Sequence, residues 1–176
     1  MTASGAMNER FRRLAAEDYN DRYHDWTQRV DRMHHEFKAH HNNPVAWTPL
    51  LKSLNECRVA LVTTAGVHRR SDPPFNQMAK EGDPSLRVIG PGDRADDLMV
   101  SHNHFDHSDA DHDVNCLFPI DRLREFAEEG RVGAISPVNF GFMGFNPDPG
   151  PVRRHAEEAA RRLAEADVDV VVLTPG

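Results

Sequence analysis

The chain has 176 residues, a formal net charge of −7 and 39% hydrophobic residues, which suits one domain with an appendage. The acidic balance argues against the basic face of a nucleic-acid binder, and runs such as Val168 to Leu173 are far too short to span a bilayer. Two cysteines, Cys57 and Cys116, with no CxxC pair, argue against a disulfide framework and fit a reducing compartment. The polar, then charged opening MTASGAMNERFRRL is no secretory signal, so the expected location is the cytoplasm.

Residues 8–41 lack Gly and Pro and repeat apolar residues at Phe11, Ala15, Tyr19, Tyr23, Trp26, Val30, Met33 and Phe37. Every step is three or four residues, which predicts a long amphipathic helix. The run HHNNP, His40 to Pro44, ends it. The stripe reads as a packing or subunit-interface face, so a homo-oligomer or a partner subunit joined through this helix is expected. Residues 1–43 form an N-terminal helical extension in this reading, and 44–176 an α/β domain.

A short linker helix is expected between Pro44 and Asn55. CRVALVTTAGV, Cys57 to Val67, is an apolar, β-branched run ending in a small-residue turn and predicts a buried strand. SDPPF (71–75) is a loop, and LRVI (86–89) and DLMVS (97–101) are short strands. FPIDRLREFAEEG (118–130) has Pro near its start and Gly at its stop, a helix signature. RVGAIS (131–136) is the next strand, 137–151 an irregular loop rich in Phe, Gly and Pro, 152–166 an amphipathic helix and VDVVVLTPG (168–176) the last strand. Apolar strands alternating with helices predict an α/β fold with an open, mainly parallel sheet flanked by helices. Ligands of such sheets bind beyond the carboxyl ends of the strands. The segments TTAGVHRR, SHNHFDH, SPVNFGFMGF and TPG all leave strand ends and should converge on one crevice.

The stretch SHNHFDHSDADHD (101–113) holds four of the eleven histidines. Its HNHFDH core fits HxHxDH, the zinc signature of metallo-β-lactamase-like hydrolases, although SDAD stands where their Gly pair usually follows. Imidazole and carboxylate suit a borderline divalent ion, which makes His102, His104, Asp106 and His107 candidate ligands of zinc, or of iron or manganese. The alternative is a solvated acidic loop whose Asp side chains cap turns and the following helix. In TTAGVHRR, Thr63 and Thr64 offer hydroxyls, His68 an imidazole, and Arg69 and Arg70 a clamp for a carboxylate; the alternative is a pair of surface arginines. Cys116 is a possible thiol participant or a buried small hydrophobe. With His68 it is the candidate catalytic residue.

Several phrases together resemble one family. CRVALVTTAGVHRRSDPPF, GDPSLRVI, DLMVSHNHFDHSDADHDVNCLFPIDRLREFAEEGRVGAIS, FMGF and DVDVVVLTPG are similar to the glycine/sarcosine/betaine reductase selenoprotein B family, which includes D-proline reductase subunits. The resemblance runs from Cys57 to Gly176. It implies an α/β fold, a crevice for a small amine or amino acid, partner subunits, and reductive C–N cleavage by a selenocysteine or cysteine placed after the last strand. This sequence closes on Leu173-Thr174-Pro175-Gly176 with no Cys after Cys116. The expectation is a metal-binding member of the reductase family acting on such a substrate. The alternatives are a non-catalytic substrate-binding or complex-assembly subunit, and a metal-dependent hydrolase or lyase.

Overall fold

The computed structural model describes residues 48–176 together with Gln28 and Arg32. The chain divides into two compact units, Met1–Thr48 and Pro49–Gly176. In the first, Gln28 and Arg32 are helical and exposed; the rest of the expected N-terminal helix lies outside the described residues, as do residues 44–47 of the linker. The linker's described part holds a single 3-10 turn, Leu54–Glu56, where a short helix was expected. Among the described residues no helix is long and apolar enough to cross a membrane.

The second unit is built on β1 (Arg58–Thr63). Its sequence RVALVT is buried at four of six positions, because neighbours line both of its edges. One edge carries β7 (Val170–Thr174), parallel from Val59↔Val170 to Thr63↔Thr174. The other edge is shared. β5 (Ala134–Ile135) pairs with Arg58 and Val59, and β6 (Asn139–Gly141) pairs with Val62 and Thr63, both parallel. β3 (Arg87–Ile89) then runs antiparallel to β6. The sheet is therefore mixed rather than purely parallel, with order β3-β6-β1-β5 and β7 on the far edge of β1.

Two expectations are corrected here. The stretch 131–141 is neither a strand over 131–136 followed by a loop nor one unbroken strand. It pairs with β1 twice, and the break at 136–138 leaves the Leu61 amide without a backbone acceptor. Asn139, fully buried, supplies one: its Oδ1 accepts from Leu61 N at 2.9 Å, while Nδ2 donates to Ile89 O at 3.2 Å and Ser136 O at 3.3 Å. A buried backbone N–H must find a partner, so the loop expected here contains a strand. The run 57–67 is likewise not one strand. β1 stops at Thr63, and Gly66 at φ +73° turns the chain into β2 (Val67–Arg69). β2 pairs with β4 (Leu98–Val100) as a separate antiparallel ribbon.

Helices cover both faces of the main sheet. α1 (Ser108–His112) is short. α2 (Ile120–Glu128) buries Ile120 and Leu123 in a core with Val59, Leu61, Phe118 and Val132. α3 (Pro149–Glu165) covers the opposite face, where Ala159 and Leu163 meet Val62, Val88, Val138 and Phe140. Adjacent residues Leu61 and Val62 point into different clusters, as strand alternation requires. α3 starts three residues before the predicted boundary, because Asp148 accepts from Gly150 N at 2.9 Å as its N-cap and Pro149 suits the first helical position. Fully buried side chains such as Phe118, Phe140, Leu61 and Ile120 contribute about 1.5–3 kcal/mol each. They fix the strand ends on which the crevice stands.

Candidate functional site

Four chain segments meet at the carboxyl end of β1. Thr64 donates its backbone N–H to Thr174 O at 3.1 Å, and Gly66 donates to Phe142 O at 2.8 Å. Ser101 N donates to Gly66 O at 2.9 Å. These bonds tie the exits of β1, β4, β6 and β7 together. Glycine makes the approach possible: a Cβ on Gly66 would lie 2.5 Å from Ser101 O, closer than any real side chain tolerates. A Cβ on Gly144, in the turn after β6, would lie 3.0 Å from Thr64 O, 3.3 Å from Gly176 O and 3.3 Å from His102 Nε2. The missing side chain of Gly144 thus marks the point where all four segments converge.

His102 is the buried histidine of the His/Asp stretch, 3% exposed. Its Nδ1 accepts from His104 N at 3.1 Å, so the neutral ring carries its proton on Nε2. That Nε2 is buried and has no partner. Burial, then His104 and His107, hold the imidazole below its usual range, so the ring is neutral. His104 is exposed and stacks on Phe145 with ring centres 3.9 Å apart. His107 Nδ1 pairs with Asp111 Oδ1 at 3.0 Å, one helical turn along.

The three histidines therefore face different partners. Among the described residues no group of three or more His, Cys, Asp or Glu comes together in an arrangement that could hold a metal ion. Two acidic side chains of the stretch act at turns: Asp106 Oδ1 accepts from Ser108 N at 3.1 Å, and Asp113 Oδ1 from Asn115 N at 3.0 Å and Nδ2 at 2.9 Å. Bonds from Asn115 hold the Asp113 carboxyl below the usual carboxylate range. Five residues of the stretch form α1, with Ala110 inside it and Phe105 and Val114 on either side packed against the core.

The remaining sequence candidates separate. Thr63 is buried; its Oγ1 donates to Thr174 O at 3.1 Å and accepts from Ala65 N at 3.1 Å. Thr64 is exposed just beyond the end of β1. His68 is 1% exposed and uses both ring nitrogens: Nδ1–H donates to Arg69 O at 2.7 Å and Nε2 accepts from the Ser101 hydroxyl at 2.8 Å. It fastens β2 to β4, and burial lowers its pKa. Arg69 and Arg70 are carried away from the crevice, since β2 runs from the crevice at Val67↔Val100 to Arg69↔Leu98. Arg69 Nε pairs with Asp93 Oδ2 at 2.7 Å, and Arg70 Nε donates to Asp96 O at 2.9 Å. Cys116 is exposed in a cavity of about 370 Å³ lined also by Phe105, His107, Leu117, Pro175 and Gly176. Burial, then Asp113 and Asp109, push its thiol up. Sequence reasoning missed Ser101, Asn139 and Gly144; only the glycine spacing in GFMGF hinted at a close approach.

A family model described as glycine/sarcosine/betaine reductase selenoprotein B matches residues 29–176. The chain belongs to this family. It is 47% identical over 141 residues to the D-proline reductase subunit gamma of Acetoanaerobium sticklandii, covering 76% of this chain and 54% of that one. It is 27% identical over 128 residues to a glycine reductase complex component B subunit gamma of Symbiobacterium thermophilum (72% and 30%). It is also 27% identical over 126 residues to a betaine reductase complex component B subunit beta of Peptoclostridium acidaminophilum (70% and 29%). The chain thus spans about half the length of the first relative and under a third of the other two. No solved structure matches it.

Proposed function

We propose that this chain works as a gamma-type subunit of an amino-acid reductase complex, and that the strand-end region around Gly144 receives the amino-acid-like substrate. The observation that carries the reading is the convergence of four strand exits on one glycine beside a buried, unpartnered imidazole N–H, in a chain 47% identical to a D-proline reductase subunit. Proline, glycine, sarcosine and betaine, the molecules in the relatives' names, all join a carboxylate to a nitrogen one carbon away. Reductive cleavage of that C–N bond adds two electrons and two protons. The reading leaves the electron-carrying group to the complex, because a thiol held in its protonated form, as at Cys116, is a poor nucleophile. It routes no step through a metal, since His102, His104 and His107 are each turned to other partners.

Thr63 and His68 hold the crevice in shape rather than touch substrate in this reading, and Arg69 and Arg70 brace the β2–β4 ribbon. The test is reconstitution. The chain is added to a D-proline reductase preparation from which the gamma subunit has been removed, and consumption of D-proline is followed with a dithiol as reductant. Stable association with the remaining subunits, seen by co-elution, is the expected result. A chain that neither associates nor binds any of the four amino acids would overturn the reading.

A further inference from the structure

Among the described residues the main sheet is unfinished along β7. This strand pairs only with β1, and its other edge is bare. With the Thr64 N–H held by Thr174 O, the register turns the N–H and C=O groups of Val170, Val172 and Thr174 to β1 and those of Val171 and Leu173 outward. Nothing in VVVLT protects such an edge: the strand has no charge, no Pro and no bulge. Its faces are bare as well. Val171 is 39% exposed, Val172 40% and Leu173 74%. The cluster under α3 takes in Val62 and Phe140 but no residue of β7. On the other face, α2 and β7 flank a groove of about 280 Å³, lined by Leu54, Leu61, Leu123, Phe126, Val170 and Val172 among others, with Arg122 its one charged residue. A strand in parallel pairing is normally covered on both faces, and here neither the edge nor the faces are.

We propose that β7 is the docking edge for a partner subunit, which adds one strand along Val170–Thr174 and lays the apolar face of a helix in the groove beside α2. The inference rests on the reading of the chain as a complex subunit and names the surface which that association uses. The chemistry of the edge selects the occupant. Outward N–H and C=O groups at strand spacing are matched in register by another extended backbone. Val172 and Phe126 need apolar cover as well, which a lone strand does not give. A second copy joined β7 to β7 would close the ladder, but it would bring a second bare strand and leave the groove beside each α2 empty. The apolar residues of 8–41 recur in steps of three or four, a helical pattern, so that segment offers the edge no strand. A strand with its own helix, carried by another subunit, meets both demands.

The test is co-elution of the full chain with a D-proline reductase preparation from which the gamma subunit has been removed, comparing wild type, L173D and M78D. Leu173 and Met78 are 74% and 87% exposed, so neither charge should unfold the chain, which circular dichroism checks. L173D should lose at least roughly ten-fold in affinity for the preparation, because a carboxylate without a partner is costly to bury in an apolar interface. M78D, on a loop outside the sheet, should co-elute as wild type does. Hydrogen exchange gives a second readout that needs no variant. The amides of Val171 and Leu173 should exchange freely in the isolated chain and slow at least roughly ten-fold in the complex. Sedimentation of the isolated chain should show a monomer. Co-elution of L173D as tight as that of wild type, an equal loss in M78D, or unchanged exchange in the complex overturns the docking edge and leaves the complex reading standing. A wild-type dimer that L173D dissolves also overturns it, since the edge then belongs to a second copy. No co-elution of wild type overturns the docking edge and the complex reading together.

Discussion

Replacing Asn139 with Ala should destabilise this fold far more than a polar-to-Ala change on its surface. The side chain is fully buried and makes three hydrogen bonds, to Leu61 N, Ile89 O and Ser136 O. Truncation orphans the Leu61 N–H in the centre of β1, a loss of about 1–3 kcal/mol for a buried donor. The two carbonyls lose less, because a carbonyl has a second lone pair. A total of about 3 kcal/mol follows, or a fall in Tm of about 12 °C at roughly 4 °C per kcal/mol for a unit of this size. Urea unfolding followed by circular dichroism measures it, with the slope unchanged and the midpoint lowered. The Asn139→Asp variant separates hydrogen bonding from volume. Its carboxylate can accept from Leu61 N but faces two carbonyls, so the deficit should grow as pH rises above the carboxylate range, where the buried group is forced to ionise. A loss below about 1 kcal/mol for Asn139→Ala, measured this way, would mean that the break between β5 and β6 is not bridged by this side chain.

Burial lowers the pKa of both His68 and His102 from the ordinary 6.5. The unfolded chain therefore takes up protons before the folded one, so stability should be full above about pH 6.5 and fall as pH drops below it, until the depressed folded-state values are reached. Urea midpoints at pH 7.5 and 5.5 check the sign, and a midpoint that rises on acidification sinks the argument. Alkylation of Cys116 by iodoacetamide at neutral pH should be slower than that of a free thiol, because its thiol is pushed up. Asp113→Asn should speed it by removing a neighbouring charge; an unusually fast wild-type reaction would restore Cys116 as a nucleophile candidate. Mass spectrometric elemental analysis of protein purified without chelator should find zinc, iron and manganese well below one equivalent. A stoichiometric metal lost on His102→Ala and His104→Ala would restore the ligand role read from HNHFDH.

The sequence by itself determined what depends on local pattern. Apolar, β-branched runs placed β1, β3, β4 and β7 within a few residues. Pro-to-Gly framing placed α2, and the phrases around them carried the family. The direction of the Arg69 and Arg70 side chains was not legible, because it hangs on a φ of +73° at Gly66 that sends β2 into a second sheet. Nor was β6, since Gly- and Phe-rich NFG becomes a strand only where β1 offers an edge and Asn139 bridges the break. The His/Asp stretch shows the division most clearly. Composition could say that imidazoles and carboxylates crowd together, but whether they share one centre is a matter of direction in space. Tertiary packing buries His102 against the Gly144 turn and stacks His104 on Phe145, while the local helical turn pairs His107 with Asp111. Spacing along a chain fixes which groups are near. The burial of His102 and the stacking of His104 come from residues far away in sequence.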